Sequence, residues 1–294
     1  MVKKETTSEK IFDVLNIIFM LLMICVTLYP FYYVVMASLS DSGALMRHEG
    51  VLLKPAGFSL AAYKMVFKNP NILSGYRTTI IVVLAGTTIN ILLTSIGAFL
   101  LTRKKFAIRK FLSYMMIFTM YFSGGMIPTY LLIYKGLNLG DSLLALIIPS
   151  AISTYNLLIM RTNFAAIPEC IEESAKIDGA NDIVVLFRII MPLSLPIIAV
   201  MILFYGVAHW NSWFSAMIYI RTKSKYPLQL ILREILLLNS TESMMEGSMG
   251  SDKYSIGESI KYATIIVATL PILCVYPFIQ KYFVKGMMIG AVKG

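Results

Sequence analysis

Acidic and small residues are concentrated in one polar stretch, residues 167–196, which separates two apolar runs. Glu172 and Glu173 fall in the first turns of a predicted helix, where the helix dipole favours negative charge. Ser174 and Ala175 follow them, and their small size lets one face of the helix approach a partner backbone closely. Carboxylates in this setting favour charge-assisted contacts with basic groups of another protein.

The chain lacks the motifs of the common catalytic and nucleotide-binding sites. It contains no G-x-x-x-x-G-K-[ST] phosphate loop, no H-E-x-x-H zinc motif and no G-x-S-x-G nucleophile elbow. Cys25, Cys170 and Cys274 lie far apart and form no C-x-x-C pair, which indicates free thiols. We therefore expect a protein that is not an enzyme and that carries no metal or cofactor of its own.

Helix-ending and helix-capping residues predict that the polar stretch folds as a helix–turn–helix elbow, residues 167–191. Asp178 and Gly179 predict the end of the first helix, because glycine tolerates the left-handed conformation found there. Asn181 or Asp182 can then cap a second short helix. The open alternative is that the elbow is only a charged connector between two apolar segments.

The composition is that of a membrane protein. Hydrophobic residues make up 57% of the chain and charged residues only 14%, whereas soluble domains are about 25% charged. The net charge of +10 fits basic flanks of membrane spans. No long basic run with interleaved aromatic residues occurs outside the apolar segments, so we expect no nucleic-acid partner.

Long runs without charged residues predict an all-α, polytopic membrane protein, a single transmembrane domain over residues 1–294. A helix needs about 20 apolar residues to cross the hydrocarbon layer, and helices satisfy their own backbone hydrogen bonds in lipid. Six transmembrane helices are predicted, at about residues 14–37, 75–101, 111–134, 142–161, 192–219 and 260–280.

Basic residues predict which loops face the cytoplasm. The loop at residues 102–110, TRKKFAIRK, is the strongest positive-inside signal in the chain. It places both termini and the elbow in the cytoplasm and makes residues 221–258 the longest outer loop. The first part of that loop, YPLQLILREILLL, is typical of a short amphipathic helix at the surface.

The elbow resembles the EAA loop of the inner-membrane permease subunits of bacterial ABC importers. The matching positions are Glu173-Ser174-Ala175 for E-A-A, Gly179 for the glycine, and Ile189-Ile190-Met191-Pro192 for the end of the pattern. Ser174 replaces an alanine and Met191 a leucine. The flanking IDGAND and PLSLP resemble the maltose-type second permeases, in the branch that transports complex oligosaccharides and is associated with lipoproteins.

The resemblance implies a type I ABC-importer permease in the bacterial plasma membrane. It implies a carbohydrate substrate, a second non-identical permease, two ATP-binding subunits that hold ATP and Mg²⁺, and an extracytoplasmic solute-binding protein that the outer loop approaches. The C-terminal tail of such permeases approaches the ATPase pair. The residues that the resemblance assigns to ATPase coupling are Glu172, Glu173, Ser174, Ala175, Asp178, Gly179 and Ala180.

Aromatic, polar and glycine residues inside the predicted spans are candidates for a substrate path, because sugars stack on aromatic faces. The candidates are Tyr121, Gly124, Gly125, Asn156, Tyr205, His209, Trp210, Asn211 and Trp213. A helix kink at the two glycines and an interfacial aromatic belt at the tryptophans are the alternatives. Gly86, Asn90 and Thr94 in the second span predict close helix packing, with path lining again the alternative.

Three other functions remain open from the sequence. The chain could be an ABC permease for a non-sugar solute, a membrane-embedded enzyme, or a component of an export system. A transporter driven by protons or sodium usually needs ionisable groups within its spans, and the predicted spans hold no carboxylate.

Overall fold

The structure is a computed structural model that describes residues 6–104, 106–237, 259–275 and 277. Almost all of these residues lie in helices or short turns, and their one β-feature is an isolated antiparallel bridge between Ser40 and Phe58. The all-α prediction is therefore confirmed. The second part of the predicted outer loop, the end of the sixth span and the C-terminal tail fall outside the described residues.

The helices follow one another along the chain with short connections. In chain order they are α1 (Thr7–Ser38), α2 (Ser42–Arg47), α3 (Ala61–Lys68), α4 (Pro70–Thr102), α5 (Arg109–Tyr121), α6 (Met126–Gly136), α7 (Leu144–Ser150), α8 (Thr154–Ala165), α9 (Glu169–Ile177), α10 (Asp182–Leu193), α11 (Leu195–Trp210), α12 (Phe214–Tyr219), α13 (Leu228–Leu237) and α14 (Ser259–Val275). A 3-10 turn, Lys223–Lys225, precedes α13.

By length and composition, α1 and α4 can each cross a membrane without interruption. Three further spans are obtained if bent helix pairs are counted as one: α5 with α6 at 115°, α7 with α8 at 52°, and α10 with α11 at 88°. The helix α14 is apolar but shorter. The six-span arrangement, with its predicted boundaries, stays a prediction.

The chain forms two compact units, one from the residues before Pro70 with residues 234–269, and one from residues 70–233 with those after 269. In the first unit, Ala37, Leu45 and Leu52 form a small core, and the Tyr33 ring meets the Tyr262 ring edge-on at 5.8 Å between centroids. Most side chains along α1 are exposed, as expected of a helix that faces lipid.

In the second unit, α4 is the central helix and packs against α8 and α11. Close approach depends on small residues, as the sequence predicts. A Cβ added to Gly86 would lie 2.5 Å from Nε2 of His209, and one added to Gly97 would lie 2.8 Å from Cδ1 of Leu157. Neighbouring helices therefore touch the backbone of α4 directly.

Side chains of α4 satisfy backbone groups released at the bend between α7 and α8. The amide of Asn90 donates to the carbonyls of Ser150 and Ala151, at 2.6 and 2.9 Å. Its Oδ1 accepts from Nε2–H of His209 on α11 at 2.7 Å. Asn90 is fully buried and thereby joins three helices. Such bonds are needed because an unpaired carbonyl at membrane depth has no water to accept from.

A second group of bonds joins the loop after α6 to the segment after α12. The Asp141 carboxylate accepts from the backbone N–H groups of Arg221 and Thr222, at 2.9 and 3.0 Å, and from the Thr222 hydroxyl at 2.7 Å. Lys225 donates to the same carboxylate at 2.8 Å. These donors, Lys225 first, hold the pKa of Asp141 well below its usual range.

The predicted amphipathic helix is present as α13, but its first turn is anchored rather than free on the surface. Leu228, Leu230 and Ile231 are buried. The N–H of Leu228 donates to the Thr79 hydroxyl at 2.9 Å, and a Cβ at Gly75 would lie 3.2 Å from the Leu228 Cα. The start of α13 is therefore fixed against the start of α4.

Replacing Asn90 with leucine should lower the melting temperature of the detergent-solubilised protein by about 5 °C, because the carbonyls of Ser150 and Ala151 lose their donors. Thr88→Val is the matched control, since the exposed Thr88 hydroxyl bonds only Leu84 of its own helix. Equal melting temperatures for the Asn90 variant and the wild type would contradict the role given to Asn90.

Asp141→Asn should lower the melting temperature at pH 7 through loss of the charged acceptor. Because the folded-state pKa lies below the unfolded value of about 3.9, the stabilisation is complete above that value and is lost as the pH falls below it. The difference in melting temperature between the Asp141→Asn variant and the wild type should therefore become smaller below about pH 4. Asp13→Asn, an exposed change, is the control. If this difference in melting temperature instead became larger in acid, the stabilising role given to the Asp141 carboxylate would be refuted.

Candidate coupling site and translocation path

Residues 167–191 fold as two helices joined by a tight turn. The helix α9 ends at Ile177 and is capped by Asp178, and Gly179 follows with φ +83°, the left-handed region. The N–H of Ala180 returns to the carbonyl of Ala175 at 2.9 Å, which closes the turn. The Asn181 side chain then accepts from the N–H of Val184 at 2.9 Å and caps α10.

The predicted coupling residues divide between two faces of this elbow. Glu173, Ser174, Asp178 and Gly179 are exposed, whereas Glu172 and Ala180 are partly covered and Ala175 is buried. Ala175 belongs to the apolar cluster that contains Phe99 of α4 and Met160 of α8. One face of α9 thus packs on the membrane helices and the other is free for a partner.

Glu172 is the centre of an ion-pair chain on the packed side. It pairs with the Arg103 guanidinium at the end of α4 and with Lys176, whose Nζ lies 2.9 Å from Oε1. Lys176 also contacts Asp182 of α10 at 3.1 Å. These ion pairs therefore link the end of α4 to both helices of the elbow.

A second, outer ion pair lies beside the first. Lys104 contacts Glu169 at 2.6 Å, and both side chains are mostly exposed. This lysine lowers the pKa of Glu169. Burial lowers the pKa of Arg103, while the negative charges of Asp182 and Glu169 act in the opposite direction. The basic loop at 102–110 and the acidic elbow are thus direct neighbours.

Two isoleucines of the elbow are much more exposed than its other apolar residues. Ile177, the last residue of α9, is 86% exposed and Ile183 is 69% exposed. Exposed apolar residues beside a polar, charged turn are typical of a protein-docking surface. The sequence does not predict this exposure, because helix periodicity alone does not tell which apolar positions the membrane helices leave uncovered.

The elbow and the start of α13 lie at opposite ends of α4. Leu228 of α13 contacts Thr79, and Glu172 of α9 contacts Arg103. At 1.5 Å per residue, the interval from Thr79 to Arg103 spans about 36 Å, slightly more than the roughly 30 Å hydrocarbon layer. The two ends of this helix therefore fit opposite sides of a bilayer.

Two of the predicted path residues are involved in helix packing. Tyr205 is 4% exposed; its hydroxyl lies 2.7 Å from that of Thr94 and accepts from the N–H of Ser153 at 3.1 Å. His209 is buried and bonds to Asn90. These contacts join α11 to α4 and to the bend before α8.

Three further predicted path residues, two tryptophans and an asparagine, lie near the end of α11. Trp210 is buried, with the Tyr76 ring 6.4 Å away between centroids. Asn211 ends the helix and is exposed. Trp213 is partly exposed and lies under the Arg233 guanidinium at 4.6 Å. Their place in a substrate path stays a prediction.

The two predicted glycines lie at the sharp bend between α5 and α6. The helix α5 ends at Tyr121, which is 79% exposed, and α6 begins after Gly125, whose φ of +85° requires glycine. Gly124 is exposed and has open space around it. The bend therefore presents backbone to its surroundings, which at membrane depth is tolerated where it lines a wet cavity or is covered by protein.

Asn156 borders a cavity of about 460 Å³ between α8 and α11. The other lining residues are Tyr155, Leu203, Phe204 and Val207. Tyr155 is 59% exposed and is not among the path residues predicted from the sequence. The cavity is widely open to its surroundings, and its lining combines aromatic faces with the mostly buried Asn156 amide, which can both donate and accept hydrogen bonds. Among the described residues, no group of three or more potential metal ligands lies together.

Comparison with known proteins identifies the family. A family model described as "Binding-protein-dependent transport system inner membrane component" matches residues 90–289. The chain is 41% identical to the polygalacturonan/rhamnogalacturonan transport system permease protein YtcP of Bacillus subtilis (strain 168), over 98% of this chain and 100% of the relative. It is 42% identical to protein LplC of the same organism, over 99% of this chain and 97% of the relative.

A solved structure agrees with these relatives. The crystal structure of a bacterial ABC transporter involved in the import of the acidic polysaccharide alginate matches with a TM-score of 0.86 and 27% identity, over 96% of this chain and 100% of that chain. The resemblance to ABC importer permeases is therefore confirmed. The chain belongs to the family of binding-protein-dependent transport system inner membrane components, and it is a permease subunit of the bacterial plasma membrane, a transport protein rather than an enzyme.

Proposed function

We propose that this chain is one permease subunit of an ATP-driven importer that moves an oligosaccharide into the cytoplasm. The observation that carries the proposal is the high identity to YtcP over nearly the whole chain, because that relative is a permease for polygalacturonan and rhamnogalacturonan. The matching alginate importer also takes up a polymer of sugars. Polygalacturonan and alginate are both built from uronic acids, so acidic oligosaccharides are the first substrates to test.

The family implies ATPase and binding-protein partners in general. In this proposal the complex contains a second, non-identical permease, two ATP-binding subunits that hold ATP and Mg²⁺, and an extracytoplasmic binding protein. Both termini and the elbow face the cytoplasm. The basic loop at 102–110 supports this orientation, since it lies beside the elbow through the Lys104–Glu169 pair and carries the positive charge typical of cytoplasmic loops.

The exposed face of the elbow is the surface that docks into the ATPase. It offers the Glu173 and Asp178 carboxylates for charge-assisted bonds, with the projecting Ile177 side chain beside them. An apolar anchor surrounded by polar contacts is the usual composition of a protein-interface centre. Closure of the ATPase pair on ATP binding then moves the elbow as a rigid body.

The cavity between α8 and α11 is the part of this chain that contacts the sugar. The exposed ring of Tyr155 and the ring of Phe204 offer apolar faces, and the Asn156 amide offers hydrogen bonds to hydroxyl groups. These contacts are few, which suits a path through which the substrate must pass rather than remain bound. The other proposed path residues act mainly through helix packing, and the glycine bend lines the path.

Ile177→Asp should reduce co-purification of the ATPase at least tenfold, because it places an unpaired charge at the centre of the docking surface. Ile108→Asp, at an exposed isoleucine of the neighbouring loop, is the matched control and should have no effect. Undiminished ATPase recovery with the Ile177 variant would remove this residue from the docking surface.

The transport function is tested by uptake into proteoliposomes that contain the full complex and its binding protein. A panel of oligogalacturonides, alginate oligomers and neutral oligosaccharides of equal length is offered. We expect ATP-dependent uptake of the acidic members. Uptake of neutral sugars alone would reassign the substrate class, and no uptake of any sugar would reject the proposed substrate.

In the same assay, Tyr155→Ala and Asn156→Ala should each lower sugar uptake about fivefold, since each loses one substrate contact of the order of 1 kcal/mol. Basal ATP hydrolysis should be unchanged. Tyr114→Ala, at an exposed tyrosine outside the cavity, is the control. Equal uptake by all four proteins would exclude the cavity from the path.

A further inference from the structure

The end of α4 and the elbow are far apart in the chain but joined by charge. Covalently, the elbow continues into α8 on one side and, past an 88° bend, into α11 on the other. It has no short covalent connection to α4, which ends at Thr102. Any displacement of the elbow therefore reaches α4 only through non-covalent contacts.

Among the non-covalent contacts between the elbow and α4, the ion pair of Arg103 and Glu172 is the one with a defined direction. Ala175 also packs in the apolar cluster that includes Phe99, but hydrophobic contact is non-directional. A guanidinium–carboxylate pair fixes both orientation and distance. Lys176 holds the same carboxylate from within α9 and extends the chain to Asp182.

Arg103 is held firmly enough to act as part of α4. Its guanidinium lies 3.9 Å from the centre of the Phe99 ring on the last turn of the helix, in cation–π contact. Its side chain is 23% exposed and that of Glu172 only 13%. In the neighbouring ion pair, the side chains of Lys104 and Glu169 are 75% and 69% exposed. Water therefore screens this pair, and it contributes little to holding α9 against α4.

We propose that Arg103 and Glu172 form a strut that transmits movement of the elbow to α4. This inference rests on the proposed coupling function. Glu172 is then a positioning residue that faces the membrane helices, and Glu173, one residue later, is the carboxylate that faces the ATPase. Because α4 also carries Asn90 and the contact to α13, movement of its inner end reaches the bend before α8 and the opposite side of the bilayer.

The strut predicts a loss of coupling without loss of assembly. In proteoliposomes with the full complex, Arg103→Gln and Glu172→Gln should each lower the number of alginate or galacturonan oligomers imported per ATP hydrolysed about tenfold. ATPase co-purification should remain within twofold of the wild type. Without Arg103, Glu172 is held only by Lys176 of its own helix, and without Glu172, Arg103 loses its partner on α9, so nothing with fixed direction sets the angle between α9 and α4.

The double variant distinguishes a strut from two unrelated effects. If the residues act as a pair, Arg103→Gln with Glu172→Gln should lower the coupling ratio about tenfold and not a hundredfold, since the second change removes nothing further. Lys104→Gln with Glu169→Gln is the matched control and should keep the wild-type ratio. Arg103→Lys and Glu172→Asp, which keep the charges, should recover most of the coupling.

Two results would overturn the strut: unchanged coupling in the single variants, or multiplicative losses in the double variant. If a glutamine variant fails to assemble with the ATPase, a full loss of coupling in the assembled Arg103→Lys and Glu172→Asp proteins would likewise count against it. Failure of the wild-type complex to import any oligomer would instead contradict the proposed function. The variants therefore test the strut, and the wild-type complex tests the proposed import function, in the same assay.

Discussion

Backbone hydrogen bonding without water is the constraint on which the second unit depends. Its helices bend between α7 and α8 and between α10 and α11, and each bend releases backbone groups that lipid cannot satisfy. Asn90 supplies the donors for Ser150 and Ala151, and the Tyr205 hydroxyl accepts from the backbone of Ser153. The bend between α7 and α8 is thus possible because polar side chains of α4 and α11 pair the backbone groups released there.

The helix α4 also connects the polar elbow to the cavity between α8 and α11. One end of α4 is tied to α9 by charge, its middle to the bend before α8, and its opposite end to α13. The cavity beside Tyr155 and Asn156 begins directly after that bend. In the proposed coupling, these three contacts along one helix let a small movement at one end of α4 alter packing near the cavity and at the other end.

The sequence was sufficient where local chemistry decides the structure. Gly179 and Asn181 predict the turn and the cap of the elbow, and the uncharged runs predict apolar helices. It was insufficient where distant residues meet. Nothing in the local pattern separates Glu172 from Glu173, yet a rotation of about 100° per residue directs only the first towards Arg103. Similarly, Tyr205 and His209 suggest a sugar-binding aromatic set until α4 is seen to bond both.

The projecting Ile177 has a consequence for biogenesis. Under the proposed docking, a subunit made before its ATPase partner presents this apolar side chain to water, where chaperones and proteases recognise exposed apolar surface. Synthesis of the two subunits in step would then shorten the time for which this surface stays uncovered.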